Sequence, residues 1–176
     1  MEGETSYIPT ETHSVEANRD WFRDSLRRPR TQARAAVLVL FMGVWLGFFT
    51  WLDGWDWREV LLGGVEGLGL GLCMVIVVWA GCYLTLGVRV RRLFRQIRVR
   101  DGPYRWRWGG EGIALTTPNG EVRYGWQELQ RIVEGRHAIL LFFNDRQYLA
   151  LPREALGEAG EESFVAAMRA GRAEPA

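Results

Sequence analysis

The stretch Ala35-Ala36-Val37-Leu38-Val39-Leu40-Phe41-Met42-Gly43-Val44-Trp45-Leu46-Gly47-Phe48-Phe49-Thr50-Trp51-Leu52 contains no charged residue. Its roughly 18 residues, at about 1.5 Å each along a helix, extend about 27 Å, close to the hydrocarbon thickness of a bilayer. A second run, Gly67 to Val88, is also uncharged and longer, and Leu61 and Leu62 carry its apolar character back toward the first. The rest of a 176-residue chain is too short to enclose both helices in a soluble core. The sequence therefore predicts transmembrane helices over 35–52 and 61–88, joined by a short loop over 53–60.

Arginines orient the pair. Arg23, Arg27, Arg28, Arg30 and Arg34 precede the first run, and Arg89, Arg91, Arg92, Arg95, Arg98 and Arg100 follow the second. The loop Asp53-Gly54-Trp55-Asp56-Trp57-Arg58-Glu59 has three acids and one arginine. Basic residues favour the cytoplasmic side, so both termini are predicted there and the loop outside. Trp51, Trp55 and Trp57 are placed to anchor the outer headgroup layer. The net charge of +1 gives no reason to expect a nucleic-acid partner.

Small residues recur at Gly43 and Gly47 in the first helix and at Gly63, Gly67 and Gly71 in the second. In an antiparallel pair with a short loop, Gly47 is level with about residue 65 and Gly43 with about residue 69. The two stripes then meet, and close backbone approach drives packing in lipid; homodimerisation through the same stripes is the alternative. Glu66 is the one acid in the glycine-rich start of the second helix, predicted two turns from the outer end, within reach of headgroups. Cys73 and Cys82 have neither the spacing nor the neighbours of a zinc site or disulfide framework, and read as packing or lipid-facing residues.

Beyond Val88, Val90, Leu93, Phe94 and Ile97 fall at helical spacing among arginines. This predicts a basic amphipathic extension over 89–100, with Arg89, Arg91, Arg92, Arg95 and Arg98 against anionic headgroups. From Tyr104 the period becomes two: Tyr104, Trp106 and Trp108 alternate with Arg105 and Arg107. Further strands are predicted at Ile113 to Thr117, from Val122, at Leu129 to Val133, Ala138 to Phe143 and Gln147 to Leu151. Pro118-Asn119-Gly120 and Asn144-Asp145-Arg146 supply turns, and a helix around Phe164, Val165 and Met168 is stopped by Gly171. The fold class is therefore α+β, with an antiparallel β domain over 101–172 capped by a helix. About 70 residues are near the lower limit for a self-sufficient core. The leader, residues 1–34, offers help: a strand at Thr5 to Thr10 and a helix at Val15 to Leu26 bearing Trp21 and Phe22. It precedes the first apolar run with no cleavage pattern, so no signal peptide is expected.

With Gly-Glu-Gly-Ile (110–113), Tyr-Gly-Trp (124–126), Leu-Leu-Phe-Phe (140–143) and Leu-Pro-Arg (151–153), the chain resembles the bacterial YcxB-like family. That resemblance implies a pleckstrin-homology-like cytoplasmic sheet capped by a helix. It brings no catalytic residues, and Arg153 is assigned no role.

No nucleophile elbow, phosphate-cradling loop or metal motif is present, and His13 and His137 lie apart from any cysteine or suitably spaced acid. No enzymatic activity and no cofactor are expected. Two functions stay open: a bacterial inner-membrane protein whose cytoplasmic domain binds a protein partner or lipid headgroups, or a small transport-related or immunity-type protein in which the helical pair does the work. Expected partners are membrane lipids and an unidentified protein or a second copy.

Overall fold

The computed structural model describes residues 2–52, 56–96, 102–145 and 147–173. The sites predicted at Trp55, Arg98, Arg100 and Arg146 fall outside these residues. The elements are β1 (Gly3–Tyr7), α1 (Glu11–Arg27), α2 (Pro29–Leu52), α3 (Trp57–Gln96), β2 (Tyr104–Trp108), β3 (Gly112–Thr117), β4 (Gly120–Gly125), a 3-10 turn (Trp126–Glu128), β5 (Arg131–Glu134), β6 (Ala138–Phe142), β7 (Tyr148–Pro152) and α4 (Arg153–Ala173). They form two units, one of residues 22–85 and one joining residues 1–21 to 86–176.

In the second of these units, two antiparallel sheets run in the orders β1-β2-β3-β4 and β5-β6-β7. β1 pairs with β2 from Gly3 opposite Trp108 to Tyr7 opposite Tyr104, so the leader adds an edge strand to a sheet whose other strands come a hundred residues later. The strand starts two residues and ends three residues before the predicted Thr5 to Thr10, its end set by Pro9, which has no N–H to give a ladder. The leader helix also starts early: Thr10 accepts the His13 N–H at 3.2 Å and caps α1.

The core is aromatic. Trp106, Trp108, Ile113, Leu115, Ile139, Leu141 and Leu151 from the sheets and Trp126 from the 3-10 turn meet Phe164, Ala167 and Met168 of α4. Phe164 has the rings of Trp108 and Trp126 edge-on at 5.5 and 5.7 Å, an arrangement the ring quadrupoles favour. The indole N–H groups are held as well, Trp126 donating to the Gly109 carbonyl at 2.8 Å and Trp108 to Ser163 Oγ at 3.3 Å. Gly171 does not end α4. The helix continues to Ala173, and a side chain at Gly171 would collide with the Trp126 ring. The backbone leaves helical geometry at Gly157, where φ is 64°, a value glycine tolerates.

β6 is buried at all five positions. Ile139 and Leu141 join the aromatic core, while Ala138, Leu140 and Phe142 face a second cluster with Ala17 and Trp21 of α1. Trp21 stacks on Tyr148 with centroids 6.4 Å apart. Asp20, buried on the same helix, accepts the backbone N–H groups of His137 at 2.7 Å and Ala138 at 3.1 Å through Oδ2. Gly135 turns beneath it, where a Cβ would stand 2.5 Å from that oxygen. Arg153, which the sequence left without a role, holds the same turn from the other side: Nε donates to the Gly135 carbonyl at 2.8 Å and its guanidinium pairs with Glu161.

In the 22–85 unit, α2 begins at Pro29 rather than residue 35; proline suits the first helical position because no N–H is needed there. α3 begins at Trp57 and runs without a break to Gln96, so the predicted 61–88 span and most of the 89–100 extension are one helix. Only 6% and 22% of their most apolar windows are buried, whereas a soluble core helix would be mostly buried. Val37, Val44, Leu61, Val65, Val77 and Leu84 are each about 60–75% exposed. Both helices are long and apolar enough to cross a membrane.

Asp20→Ala leaves two buried N–H groups without an acceptor and should cost about 1–3 kcal/mol. Thermal unfolding of the detergent-solubilised chain should show a lowered midpoint, with Asp20→Asn closer to the original. Burial pushes the phenols of Tyr7 and Tyr148 up to about 12. Their neutral forms are therefore favoured by folding, and that stability is whole below pH about 10 and lost as pH rises toward 12. A phenolate absorbance titration should find two of the five tyrosines ionising late, and Tyr148→Phe should remove one of them.

Candidate interaction site

The predicted glycines meet. Gly43, Gly47, Gly63, Gly67 and Gly71 are buried in a pair of helices whose surface is otherwise largely exposed. A Cβ at Gly67 would strike the Met42 carbonyl oxygen and come within 2.8 Å of Gly43 Cα. At Gly71 it would lie 3.0 Å from Val39 Cα, and at Gly43 2.7 Å from the Leu68 side chain. Gly47 faces the backbone of Val60 and Gly64, and Gly63 faces Thr50. The stripes therefore pack within one chain, backbone on backbone at Gly67 and Gly71, while at Gly47 a Cβ would make ordinary contact. Val75 extends the stripe at the same four-residue spacing.

That register moves Glu66 from its predicted place. Its neighbour Gly67 sits against Met42 and Gly43, the middle of the run Ala35–Leu52, not near its end. Glu66 is exposed and has no hydrogen bond or ion pair among the described residues.

Arg89, Arg91 and Arg92 are exposed on the last part of α3. Arg95 is engaged by Glu11 of the leader at 3.0 Å. The apolar stripe between them is divided: Val90 and Phe94 are half-buried and Leu93 is 60% exposed. Gly87, one turn earlier, has Val15 of α1 beside it, 3.9 Å from where a Cβ would be.

Elsewhere, an open acidic groove runs along α4 between Glu134, Glu158, Glu161, Glu162 and Arg169. Glu161 is engaged by Arg153. Among the described residues no cluster of His, Cys, Asp or Glu could hold a metal ion. The residues that sequence reasoning missed are Asp20 and Arg153, which clamp the β5–β6 turn. The one signal for them was indirect: the unbroken apolar run 138–143 implies a strand covered on both faces.

Two helices apolar enough to cross a membrane and a two-sheet antiparallel domain with a C-terminal helix define an α+β chain compatible with a membrane protein. The family model of YcxB-like protein matches residues 108–168, so the C-terminal region is a YcxB-like domain. That segment runs from the last residue of β2 into α4. No curated protein and no solved structure matches the chain.

Gly67→Leu should separate the helices, costing about 1–3 kcal/mol or more from overpacking, read as a lower unfolding midpoint in detergent. Gly69→Leu, at a position with nothing within 4 Å, should leave the pair intact.

Proposed function

We propose that the chain is a multi-pass protein of the bacterial inner (cytoplasmic) membrane, with α2 and α3 crossing as a hairpin and both termini cytoplasmic. One observation carries the reading. β1 and β2 are hydrogen-bonded neighbours on either side of α2 and α3 in sequence, and a strand pair cannot be divided by a bilayer. The chain between them must therefore cross an even number of times. The largely exposed apolar surface of both helices and the arginines at the two outer ends support the same topology.

The two-sheet domain is then a pleckstrin-homology-like module formed from four strands, three strands and a C-terminal helix, with the membrane hairpin inserted between its first and second strands. Its task is binding, not catalysis: it presents a surface to a protein partner or to lipid headgroups. Arg89, Arg91 and Arg92, exposed where α3 leaves the apolar belt, would lie at the headgroup layer. There each adds on the order of 1 kcal/mol of attraction to an anionic surface. Arg95 contributes less to lipid because Glu11 already partners it.

A phosphatase reporter active only outside the cytoplasm should be silent when fused after Ala176 and active when inserted beside Asp56. Activity at the C-terminal fusion would overturn the topology. Replacing Arg89, Arg91 and Arg92 together by Gln should raise the population of chains with the C-terminus outside, measured with the same reporter.

A further inference from the structure

We infer that a second copy of this chain packs against the face of α3 that carries Glu66, with the two Glu66 side chains meeting at the dimer axis. The inference rests on the proposal that α2 and α3 cross the membrane. On that reading Glu66, level with Gly43, lies about 12–14 Å from either end of the Ala35–Leu52 run at the helical rise per residue. A glutamate side chain does not extend so far. The carboxyl group is therefore surrounded by hydrocarbon, where an unsatisfied polar group is costly. Nothing in its own chain relieves it among the described residues.

The face around it is shaped for close approach. Gly69, Cys73 and Ala80 follow Glu66 at i+3, i+7 and i+14, which at about 100° per residue places them on one side of the helix, and all are exposed. The buried set Gly63, Gly67, Gly71 and Val75 is used up by α2 and is centred about 150° around the helix from that face. A second copy is the partner that this chemistry selects. Its spans offer no basic residue, so an ion pair is excluded, but a two-fold axis sets each residue opposite itself. Two neutral carboxylic acids then satisfy each other, each O–H donating to the other's carbonyl oxygen, and no charge stays in lipid. Gly69, one turn away, removes the side chain that would hold the helices apart.

The chain's own cysteines supply the test. Cys73 is on the proposed face, and Cys82, nine residues on, points the other way. Full-length protein in phosphatidylethanolamine–phosphatidylglycerol vesicles, oxidised with copper phenanthroline, should form a disulfide-linked dimer. Cys82→Ser should keep that dimer and Cys73→Ser should lose it. In the Cys82→Ser background, Glu66→Ala should lower the dimer about five- to tenfold, the size of one interhelical hydrogen bond, while Glu66→Gln retains it. Gly69→Leu, which meets nothing in the monomer, should abolish it even if the Glu66 variants insert poorly. A dimer that survives Gly69→Leu and Glu66→Ala overturns the pairing, as does a monomer in every background. Release of the chain by alkaline carbonate would instead overturn the membrane reading beneath it.

Discussion

The double burial of β6 governs the β-rich unit. A central strand with no solvent face needs a layer on each side, and the residues after Tyr104 supply only one, the helix α4. The other is α1, from the opposite end of the chain. Its Ala17 and Trp21 cover Ala138, Leu140 and Phe142, and its Asp20 satisfies the N–H groups where β6 begins. Burying a carboxylate is costly unless its oxygens are hydrogen-bonded. The pair of backbone donors meets that need at Oδ2 and fixes where along the sheet the helix docks. Hydrophobic contact gives attraction without register; Asp20 and the β1–β2 ladder give register.

The helical pair solves a different problem with different residues. Its apolar side chains are exposed, so on the proposed membrane reading bringing α2 and α3 together in lipid brings no hydrophobic gain. What remains is van der Waals contact, which grows steeply as backbones approach. Glycine is the residue that allows it, and the approach is tightest at Gly67 and Gly71. Large side chains are spent on the surroundings and small ones on the partner, the inverse of the β-rich unit.

Much of this was legible in the sequence because the signals were periodic or uninterrupted. The two uncharged runs, the alternation from Tyr104 to Trp108 and the Pro-Asn-Gly turn each fix local structure with little help from elsewhere. The glycine register was read to within two or three residues: Gly43 lies against Gly67 rather than residue 69, and Gly47 against Val60 and Gly64 rather than residue 65. Element ends were less legible: α2 begins six residues early and α3 runs on through the arginines, because neither polar residues nor charge stop a helix that lacks a breaker. Asp20 and Arg153 could not be read as a clamp. Their partners are backbone groups of a turn more than a hundred residues from Asp20, and backbone groups leave no mark in a sequence. The depth of Glu66 was misplaced for a related reason: it follows from which α2 residue Gly67 touches, not from distance to the loop.

The pairing of β1 with β2 also sets a schedule for biosynthesis. The leader leaves the ribosome first, yet its strand partner is separated from it by both long helices. Until Tyr104–Trp108 has been translated, β1 has no neighbour and α1 has nothing to cover. Closing so long a loop before the hairpin has settled carries an entropic penalty, which an already folded helical pair reduces by bringing the two ends close. On the proposed membrane reading insertion thus precedes completion of the β-rich unit, and until then the later strands lack their β1 edge and their α1 layer.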